Sequence, residues 1–527
     1  MVERPDIKTD LIIGIDSGTS VVKAVAFTLK GTQVAACAVK NTYTAGVDGS
    51  ATQSLSRTWD DCITALVGLA EHVENLADRT AAVAVTGQGD GTWLIDEHGK
   101  PVTDAWLWLD ARAVDIVEDL VTSPFERQRF ELTGTGLNTC QQGPQLAFMA
   151  QHHPEMLARA TTAFHCKDWL YFNLTGIRAT DPSEASFTFG NFRTRQYSDT
   201  VIDALGLLDH RHLLPTIIDG SKTTHALTVE VAAKVGLHAG TPICLGFVDM
   251  IMTGLGAGIY TAEPGIACST IGSTGVHMTA KRAADVTLNR HNTGYIICLP
   301  HEDFVGQAQT NMAATLNIDW ILDVAADLVA EFSARPSHSD LLARLDGWLK
   351  DTQPGALIYH PYISEAGERG PFVDPNARAS FVGVRINHRF ADLARAVVES
   401  LGLAARDCYA VMGIVPKELR ITGGGARSAA LRKILSAIIN APVRVSSRDE
   451  AGAAGCAMMA AVAIGTFENM DACIAEWVVP LLGDPELPHR DLNKSYNDLF
   501  ETYHTSRGAM TATWADLAKL RKPDANS

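Results

Sequence analysis

The first forty residues alternate between short apolar runs and turns. LIIGID, VVKAVAFT and TQVAACAV are rich in β-branched residues, and Lys30-Gly31 separates the last two. This pattern predicts a three-stranded antiparallel meander. In the next stretch, SRTWDDCITALVGLAEHV, apolar side chains recur every three or four positions, which predicts an amphipathic helix. AAVAVTGQGDG then predicts an apolar strand that ends in polar and glycine residues.

A second copy of this opening pattern occurs near the middle of the chain. Residues 264–280, PGIACSTIGSTGVHMTA, again place a strand, a Gly-Ser-Thr-Gly turn and a returning strand in succession. Any two hairpins can share glycine and threonine, so the similarity taken alone leaves coincidence open. A duplicated core would divide the chain near residue 248, into domains 1–247 and 248–527.

Composition limits the classes of protein that fit. With 527 residues, of which 46% are hydrophobic, the chain can fill two to four domains at roughly 150 residues each. A net charge of −16 argues against a nucleic-acid or anionic-membrane partner. Residues 451–465, AGAAGCAMMAAVAIG, are fewer than the roughly 20 residues that span a bilayer and predict a buried helix.

The cellular compartment is inferred from the N-terminus and the cysteines. MVERPDIKTD has no apolar segment of the kind found in signal peptides. The ten cysteines are scattered singly without a C-x-x-C pair. This usage is typical of reduced thiols, so we expect a cytoplasmic protein without disulfide bonds.

The first candidate chemistry follows the opening strand. Asp16 ends that strand, and Gly18, Thr19 and Ser20 come next. A glycine turn lets backbone N–H groups and hydroxyls approach a ligand, as polyphosphate oxygens require. Asp16 can then hold a hydrated Mg²⁺, and Lys23 can add a positive charge. An Asx turn that satisfies its own backbone is the alternative. The chain contains no G-x-x-x-x-G-K-[ST], which excludes a P-loop.

Two later stretches add further candidates. RITGGGARSAALRKILSAIINAPVRV predicts a strand, a triple-glycine turn, a helix and a strand. Gly423, Gly424 and Gly425 leave room for a flat ring against the backbone, and Ser428 can cap the helix. LGFVDMIMTGLGAG places Asp249 between an apolar strand and a small-residue helix. Desolvation there would disfavour its charged form, which makes it a candidate general base, with a helix cap as the alternative.

Polar residues at two more strand ends, with two tryptophans, suit a pocket for hydroxyl groups. The polar residues are Gln88, Asp90, Asp110 and Arg112, and the tryptophans are Trp108 and Trp169. Each polar pair can separately be a surface turn, and the tryptophans can belong to the core. Their co-occurrence is what favours a pocket.

Together these stretches resemble the FGGY family of carbohydrate kinases over about residues 10–500. IGIDSGTSVVKAV is similar to the family's first phosphate motif, and IGSTG, residues 271–275, is similar to the second. WLDAR resembles the sugar-pocket segment, and GGGARS resembles the adenosine motif. KDWLYFNLTG, TDPSEASFT and the signature ASFVGVRINHRFADLARAVVE also match.

The resemblance implies a two-domain α/β protein of actin-like, ribonuclease H-like fold, with a duplicated core and a cleft between the domains. It implies an N-terminal substrate domain, a C-terminal ATP domain, and ATP-dependent phosphorylation of a sugar or polyol hydroxyl. Asp249 would be the catalytic base, and Asp16 would hold Mg²⁺. The nucleotide-binding residues would be Gly18, Thr19, Ser20, Lys23, Gly272, Ser273, Thr274, Gly423, Gly424, Gly425 and Ser428.

One departure from the family pattern bears on the substrate. After the equivalent of Gln88, xylulose kinases usually carry Met-His and glycerol kinases carry Arg-Glu, whereas this chain carries Gly89-Asp90-Gly91. Loss of the histidine removes a donor for a ketose carbonyl, and Asp90 adds an acceptor for hydroxyls. The glycines either widen the pocket or bring the backbone to the ligand. These changes favour a small polyol.

Three further stretches, VTGQGDGTWLID, AWLWLDARA and GLNTCQQG, are most similar to bacterial family members that phosphorylate erythritol. This similarity implies conversion of erythritol to erythritol 4-phosphate. The substrate contacts would be Gln88, Asp90, Asp110, Arg112, Trp169 and Asp249.

Other substrates and two other classes of protein stay open. A ketopentose such as xylulose or L-xylulose, or another polyol such as glycerol or ribitol, is the alternative acceptor. The same fold hosts chaperones and filament ATPases that act on no sugar, and a non-catalytic sugar sensor is a third class. The expected partner is a small molecule, not a nucleic acid or a membrane, and a homodimer stays open.

Overall fold

Two six-stranded sheets, one in each half of the chain, dominate the computed structural model, which describes residues 9–261 and 263–521. The strands of the first half are β1 (Leu11–Ser17), β2 (Val21–Thr28), β3 (Gln33–Lys40), β4 (Thr44–Ala45), β5 (Ala51–Gln53), β6 (Thr80–Gly87), β7 (Trp93–Ile95), β8 (Ala105–Trp106), β9 (Thr162–Phe164), β10 (Ala179–Thr180), β11 (Gly190–Asn191), β12 (Gln196–Tyr197), β13 (Thr216–Ile217), β14 (Thr224–Ala226) and β15 (Pro242–Leu245). Its helices are α1 (Leu55–His72), α2 (Leu76–Arg79), α3 (Val114–Thr122), α4 (Glu126–Thr133), α5 (Gln142–His152), α6 (Pro154–Arg159), α7 (Cys166–Thr175), α8 (Pro182–Phe189), α9 (Asp199–Ala204) and α10 (Val229–Val235).

The second half begins with a helix and contains the second sheet. Its strands are β16 (Ile266–Ile271), β17 (Gly275–Arg282), β18 (Tyr295–Cys298), β19 (Phe304–Asn311), β20 (Ile358–His360), β21 (Ser380–Val382), β22 (Glu418–Thr422) and β23 (Val443–Val445). Its helices are α11 (Asp249–Ala257), α12 (Thr315–Ala330), α13 (His338–Lys350), α14 (Phe390–Val411), α15 (Ala429–Ile439), α16 (Ala451–Ala463), α17 (Met470–Trp477) and α18 (Arg490–Arg521). Helices α12 and α13 lie on either side of Pro336.

The first sheet contains the predicted meander. Its strand order is β14-β15-β6-β1-β2-β3, with β1, β2 and β3 antiparallel in succession. β6 returns after α1 and pairs with β1 in parallel, which places Thr86 beside Asp16. The ends of β1 and β6 therefore meet at one edge of the sheet, where Asp16 and Gln88 come close together.

The second sheet repeats this arrangement, in the order β18-β19-β17-β16-β22-β23. β16 pairs antiparallel with β17 and parallel with β22, just as β1 pairs with β2 and β6. The predicted duplication is confirmed, because the two sheets share a parallel third strand in addition to the similar hairpins. The boundary near residue 248 stays a prediction; the first sheet ends at Leu245 and the second begins at Ile266.

Helices α11 and α16 cross each other between the two sheets. Both contribute to one core cluster with residues of β1, β6, β16 and β17. Small residues allow the close approach: a Cβ atom on Gly256 would overlap the backbone of Ala451, and one on Gly455 would overlap that of Met252. The prediction that residues 451–465 form a buried helix is thus confirmed. In the described part of the chain, no helix has both the length and the hydropathy to cross a membrane.

This crossing yields a stability prediction. We expect Gly455→Ala to lower the free energy of unfolding by about 1–3 kcal/mol, because the new methyl group would force α16 away from α11. Gly347→Ala is the control, since a Cβ atom there meets no other atom within 4 Å and alanine favours the helix. Urea denaturation measures both variants. Equal stability of the two would contradict the close contact.

Candidate active site

A cavity of about 360 Å³ lies between the two halves of the chain, at the ends of β1 and β6 and the start of α11. Its volume suits a small polar ligand. The first half contributes Thr19, Gln88, Gly89, Asp90, Trp108, Cys140 and Phe187, and the α11 segment contributes Val248, Asp249, Met250 and Thr253. The second half contributes Thr270, Thr274, Val276, Met278, Tyr295, Ile297, Thr310, Asn311, Met312 and Arg369.

Asp249 is the first residue of α11 and faces this cavity. Val248 occupies the position that precedes the helix, so Asp249 is not the cap that the alternative interpretation required. Burial, reinforced by the nearby charges of Asp16 and Asp90, raises the pKa of Asp249 to about 7. A carboxyl group with a pKa close to neutral can take up a proton during a reaction.

The raised pKa predicts the pH dependence of any reaction that uses Asp249 as a base. Only the carboxylate can accept a proton, and its population falls as the pH falls through about 7. We therefore expect kcat/KM to decrease about tenfold per pH unit below that value. The measurement is kcat/KM between pH 5.5 and 8.5, at constant ionic strength. A flat profile over this range would exclude Asp249 as the base in the free enzyme.

Asp16 lies at the end of β1, opposite Lys23 on β2. Burial raises its pKa to about 6, although the charge of Lys23 opposes this. The Nζ atom of Lys23 lies 2.7 Å from the carboxylate of Glu450, so its charge is already matched within the protein. This pairing weakens the prediction that Lys23 contacts phosphate. Asp16 makes no side-chain hydrogen bond to the following turn among the described residues, so no Asx turn forms.

The residues around Asp16 fit a magnesium ion held with phosphates. Among residues 9–261 and 263–521, no three His, Cys, Asp or Glu side chains cluster as a metal site. A dedicated protein cage for a metal is therefore absent from that part of the chain. Mg²⁺ instead commonly takes one or two carboxylates together with substrate phosphates and water. A buried carboxylate with a raised pKa, such as Asp16, would be stabilised by such a cation.

The two hairpin turns occupy equivalent places in the duplicated sheets. In each turn a glycine N–H donates to a carbonyl across it, from Gly18 to Val21 and from Gly272 to Thr274. Thr19 and Thr274 line the cavity, whereas Ser20 is exposed, and the carbonyl of Ser273 accepts from Ala314. The turns bring Thr19 and Thr274 to one cavity, and their binding of phosphate stays a prediction.

Thr270 is a cavity residue that the sequence analysis missed. It stands two positions before Gly272, as Asp16 stands two positions before Gly18. Its hydroxyl is buried and has no hydrogen-bond partner among the described residues. The duplicated pattern was the signal that could have identified it.

The triple glycine packs more tightly than a ring-binding platform requires. Gly423 has φ of +86°, and a Cβ atom there would meet the carbonyl oxygen of Ile271. Gly425 is likewise pressed against the side chain of Ile271, and only Gly424 leaves open space. Ser428 caps α15 by accepting from the N–H of Leu431, as the sequence predicts. A flat ring would therefore contact Gly424 in particular.

Gln88 and Asp90 meet the cavity from the end of β6. Gln88 accepts from the Thr19 hydroxyl and donates to Gln53, which fixes its amide. Asp90 accepts from the Cys140 thiol through Oδ2, while its Oδ1 has no partner among the described residues. Burial raises the pKa of Asp90 to about 6. Its free oxygen is an acceptor for a ligand.

The glycines that flank Asp90 serve protein packing. A Cβ atom on Gly89 would overlap the side chain of Val248, next to the candidate base. Gly91 has φ of +74°, and a Cβ atom there would overlap the carbonyl of Trp106, away from the cavity. Gly89 thus brings the backbone close to Asp249, whereas Gly91 does not widen the pocket.

Three predicted substrate contacts lie away from the cavity lining. Asp110 is fully buried and holds Arg112 and the N–H of Ala51, so its oxygens are already occupied. The Arg112 guanidinium stacks on the ring of Trp106. Trp169 belongs to the core, where its indole N–H donates to Leu55, so the predicted pocket wall is corrected.

Trp108 does reach the cavity. Its indole N–H donates to the Thr19 hydroxyl at 2.9 Å. Asp110 also accepts from the backbone N–H of Arg112, so the pair is bonded within the turn that follows Trp108.

The N-terminal domain model of the FGGY family of carbohydrate kinases matches residues 11–256, and the C-terminal domain model matches residues 267–464. An erythritol kinase of Brucella abortus (strain 2308) is 61% identical over 511 residues, or 97% of this chain and 98% of that protein. A xylulose kinase of Escherichia coli (strain K12) is 28% identical over 499 residues, or 94% of this chain and 98% of that protein.

Solved structures share the architecture. A gluconate kinase from Lactobacillus acidophilus has a TM-score of 0.86 at 21% identity, covering 96% of this chain and 99% of that chain. A Plasmodium falciparum glycerol kinase with ADP has a TM-score of 0.80 at 18% identity, covering 96% and 98%. At such identities the likeness shows the fold alone. The predicted two-domain, actin-like fold is confirmed.

Proposed function

Because the chain belongs to the FGGY family of carbohydrate kinases, we propose that it transfers the terminal phosphoryl group of ATP to a hydroxyl of erythritol. The product is erythritol 4-phosphate. The observation that carries this proposal is the relative named erythritol kinase, which is 61% identical over 97% of the chain. As a family member, the protein is a phosphotransferase that acts on an alcohol group.

Asp249 is the base in the proposed reaction. Its carboxylate accepts the proton of the attacking hydroxyl while that oxygen forms a bond to the γ-phosphorus and the bond from the γ-phosphorus to the ADP oxygen breaks. A pKa of about 7 suits this step, because about half of the group is ionised at neutral pH and the carboxylate is basic enough to take the proton. Base catalysis of this kind contributes roughly 10²- to 10⁴-fold.

The nucleotide side of the site is also a proposal. Asp16 holds the magnesium ion, and Thr19, Thr270 and Thr274 lie within the same cavity to receive the phosphates. When bound, Mg²⁺ would neutralise the charge that develops on the phosphates. Gly18, Gly272 and Gly424 have no side chain, so the nucleotide can come close to the backbone at these positions. The adenine side is assigned to Gly424.

On the substrate side, the described residues of the first half that line the cavity include polar side chains but no lysine or arginine. Gln88 and Asp90 provide acceptors, and the half-exposed indole of Trp108 provides an apolar wall. Position 90 carries an acceptor instead of the histidine typical of xylulose kinases, which supports a polyol over a ketose. A site that hydrogen-bonds each hydroxyl rejects analogues that lack one by large factors.

Asp90→Ala tests this assignment. We expect the KM for erythritol to rise about 10- to 100-fold, because Asp90 loses a charged hydrogen bond to a substrate hydroxyl. The KM for ATP should change less than about threefold, since Asp90 lies on the polyol side of the cavity. Steady-state kinetics with each substrate varied in turn measures both. Asp104→Ala, an exposed change on the same half, is the control. Equal effects on both KM values would refute the contact.

The activity itself is tested with a substrate panel. Purified protein with ATP and Mg²⁺ is assayed against erythritol, glycerol, ribitol, xylitol, D-xylulose and L-xylulose by coupled detection of ADP. We expect the highest kcat/KM with erythritol. Preference for a ketose would keep the kinase activity but reject the polyol pocket. ATP hydrolysis that no acceptor stimulates would favour an ATPase without a sugar substrate.

A further inference from the structure

Arg369 reaches the cavity from a loop in the second half of the chain. The loop is firmly held: the buried carboxylate of Glu368 accepts from the N–H groups of Met312 and Arg369, at 3.0 and 2.9 Å. The side chain of Asn311 donates to the carbonyl of Gly370 at 2.8 Å. The backbone that carries Arg369 is therefore fixed to the end of β19, on the cavity wall.

The guanidinium of Arg369 has no partner among the residues that the structure describes. It donates no side-chain hydrogen bond and lies within ion-pair distance of no carboxylate in residues 9–261 and 263–521. Its neighbour Arg378, by contrast, donates to the carbonyls of Glu365, Pro375 and Ala377. Arg369 is only partly buried, so its guanidinium donors are free to bind a ligand that enters the cavity.

An unpaired acceptor lines the same cavity from the other half of the chain. Asp90 has a buried Oδ1 atom with no hydrogen-bond partner in the described residues. The charge of Arg369 lowers the pKa of Asp90, although burial is the larger effect and raises it. The charge of Arg369 also lowers the pKa of the Cys140 thiol, although burial is the larger effect and raises it. This thiol donates to Asp90. Arg369 and Asp90 thus line one cavity, the first with a guanidinium donor and the second with a free carboxylate oxygen.

We propose that Arg369 determines specificity for the polyol, by donating hydrogen bonds to hydroxyls remote from the one that Asp249 deprotonates. The proposal rests on the proposed function and adds a contact from the second half of the chain. A hydroxyl fits between Asp90 and Arg369 because it donates to a carboxylate and accepts from a guanidinium at once. A phosphate would be repelled by Asp90, so the nucleotide is the poorer candidate for this position.

This contact makes the substrate a bridge between the two halves of the chain. Asp90 belongs to the turn after β6, and Arg369 belongs to the loop attached to β19. A polyol long enough to touch both would favour the arrangement that encloses the reacting groups and excludes water. A shorter polyol would reach Asp249 but leave Arg369 unpaired.

The test compares erythritol with glycerol, which lacks one hydroxyl-bearing carbon, in wild-type protein and in Arg369→Met. We expect Arg369→Met to lower kcat/KM for erythritol about 30- to 100-fold, because a charged hydrogen bond is lost. The value for glycerol and the KM for ATP should change less than about threefold. Arg369→Lys should recover part of the loss. Arg344→Met, an exposed change on α13 outside the cavity lining, is the control and should behave as wild type.

Other outcomes overturn the proposal in distinguishable ways. Equal losses for erythritol and glycerol, or a raised KM for ATP, would assign Arg369 to the nucleotide or to the stability of the loop. Unchanged kinetics would remove it from the site. Calorimetric titration of erythritol into both proteins provides a readout without turnover. If erythritol neither binds to nor reacts with the wild-type protein, the proposed function itself fails.

Discussion

Replacing Asp249 by asparagine is expected to lower kcat for erythritol phosphorylation by on the order of 10³-fold. Asparagine keeps the size of the side chain and its place at the start of α11, but it cannot accept a proton. The raised pKa of the carboxyl, about 7, is a property of its burial beside Asp16 and Asp90. Loss of this group should therefore remove the chemical step and leave the architecture of the site intact.

Two measurements separate this effect from misfolding. Binding of ATP, followed by calorimetry, should change less than about threefold, because Asp249 lies at the hydroxyl end of the reaction. The residual activity should also lose its dependence on pH near 7, since the titrating group is gone. Asp303→Asn makes the same chemical change at an exposed position and should leave activity unaltered. A variant that retains more than about a tenth of the wild-type rate would exclude Asp249 as the base.

The opening meander and the second copy of its hairpin could be predicted because their signals are local. The apolar segments LIIGID and VVKAVAFT are separated by a turn, and IGSTG repeats the glycine turn of this opening hairpin. The small residues of α16 likewise reveal a buried helix, since a long run of alanine and glycine has no polar face. The sequence did not reveal which surface this helix covers. It packs across β1, where a Cβ atom on Gly14 would overlap the backbone of Ala453.

Side-chain pairing over long separations explains the weaker predictions. Lys23 pairs with Glu450, 427 positions later, and no local pattern around Lys23 announces this partner. Asp110 and Arg112 satisfy each other at a spacing of two residues. Trp169 illustrates a different limit, because a tryptophan near a helix end suits a pocket wall and a core equally well.

Arg369 is the clearest residue that pattern analysis could not find. Its segment, EAGERGPF, has neither helical nor strand periodicity, and one arginine in a loop is ordinarily solvated. The structure brings it to the cavity because Glu368 is buried and gathers three backbone N–H groups around the turn. The hydropathy pattern of the sequence does not indicate that a loop folds around a buried carboxylate such as Glu368.

Replacing Asp16 by asparagine is the second change with a large expected effect. The variant removes the carboxylate at the end of β1, next to the two turns proposed to bind phosphate, so kcat/KM for ATP should fall about 100-fold or more. The Mg²⁺ concentration needed for half-maximal activity should rise in parallel. Binding of Mn²⁺ in the presence of ADP, measured by electron paramagnetic resonance, provides a readout without turnover and should weaken.

Asp16→Asn should also change the pKa of Asp249, an effect that is not expected if Asp16 has only a structural role. The charge of Asp16 raises the pKa of Asp249, so its removal should lower that pKa. The acid limb of the kcat/KM profile should then move below about 7, toward lower pH, while the maximal rate falls. Lys23→Met, which changes the pairing with Glu450 and removes an opposite charge near Asp16, should not shift the limb in this direction. An unchanged Mg²⁺ requirement with an unshifted limb would remove Asp16 from both roles.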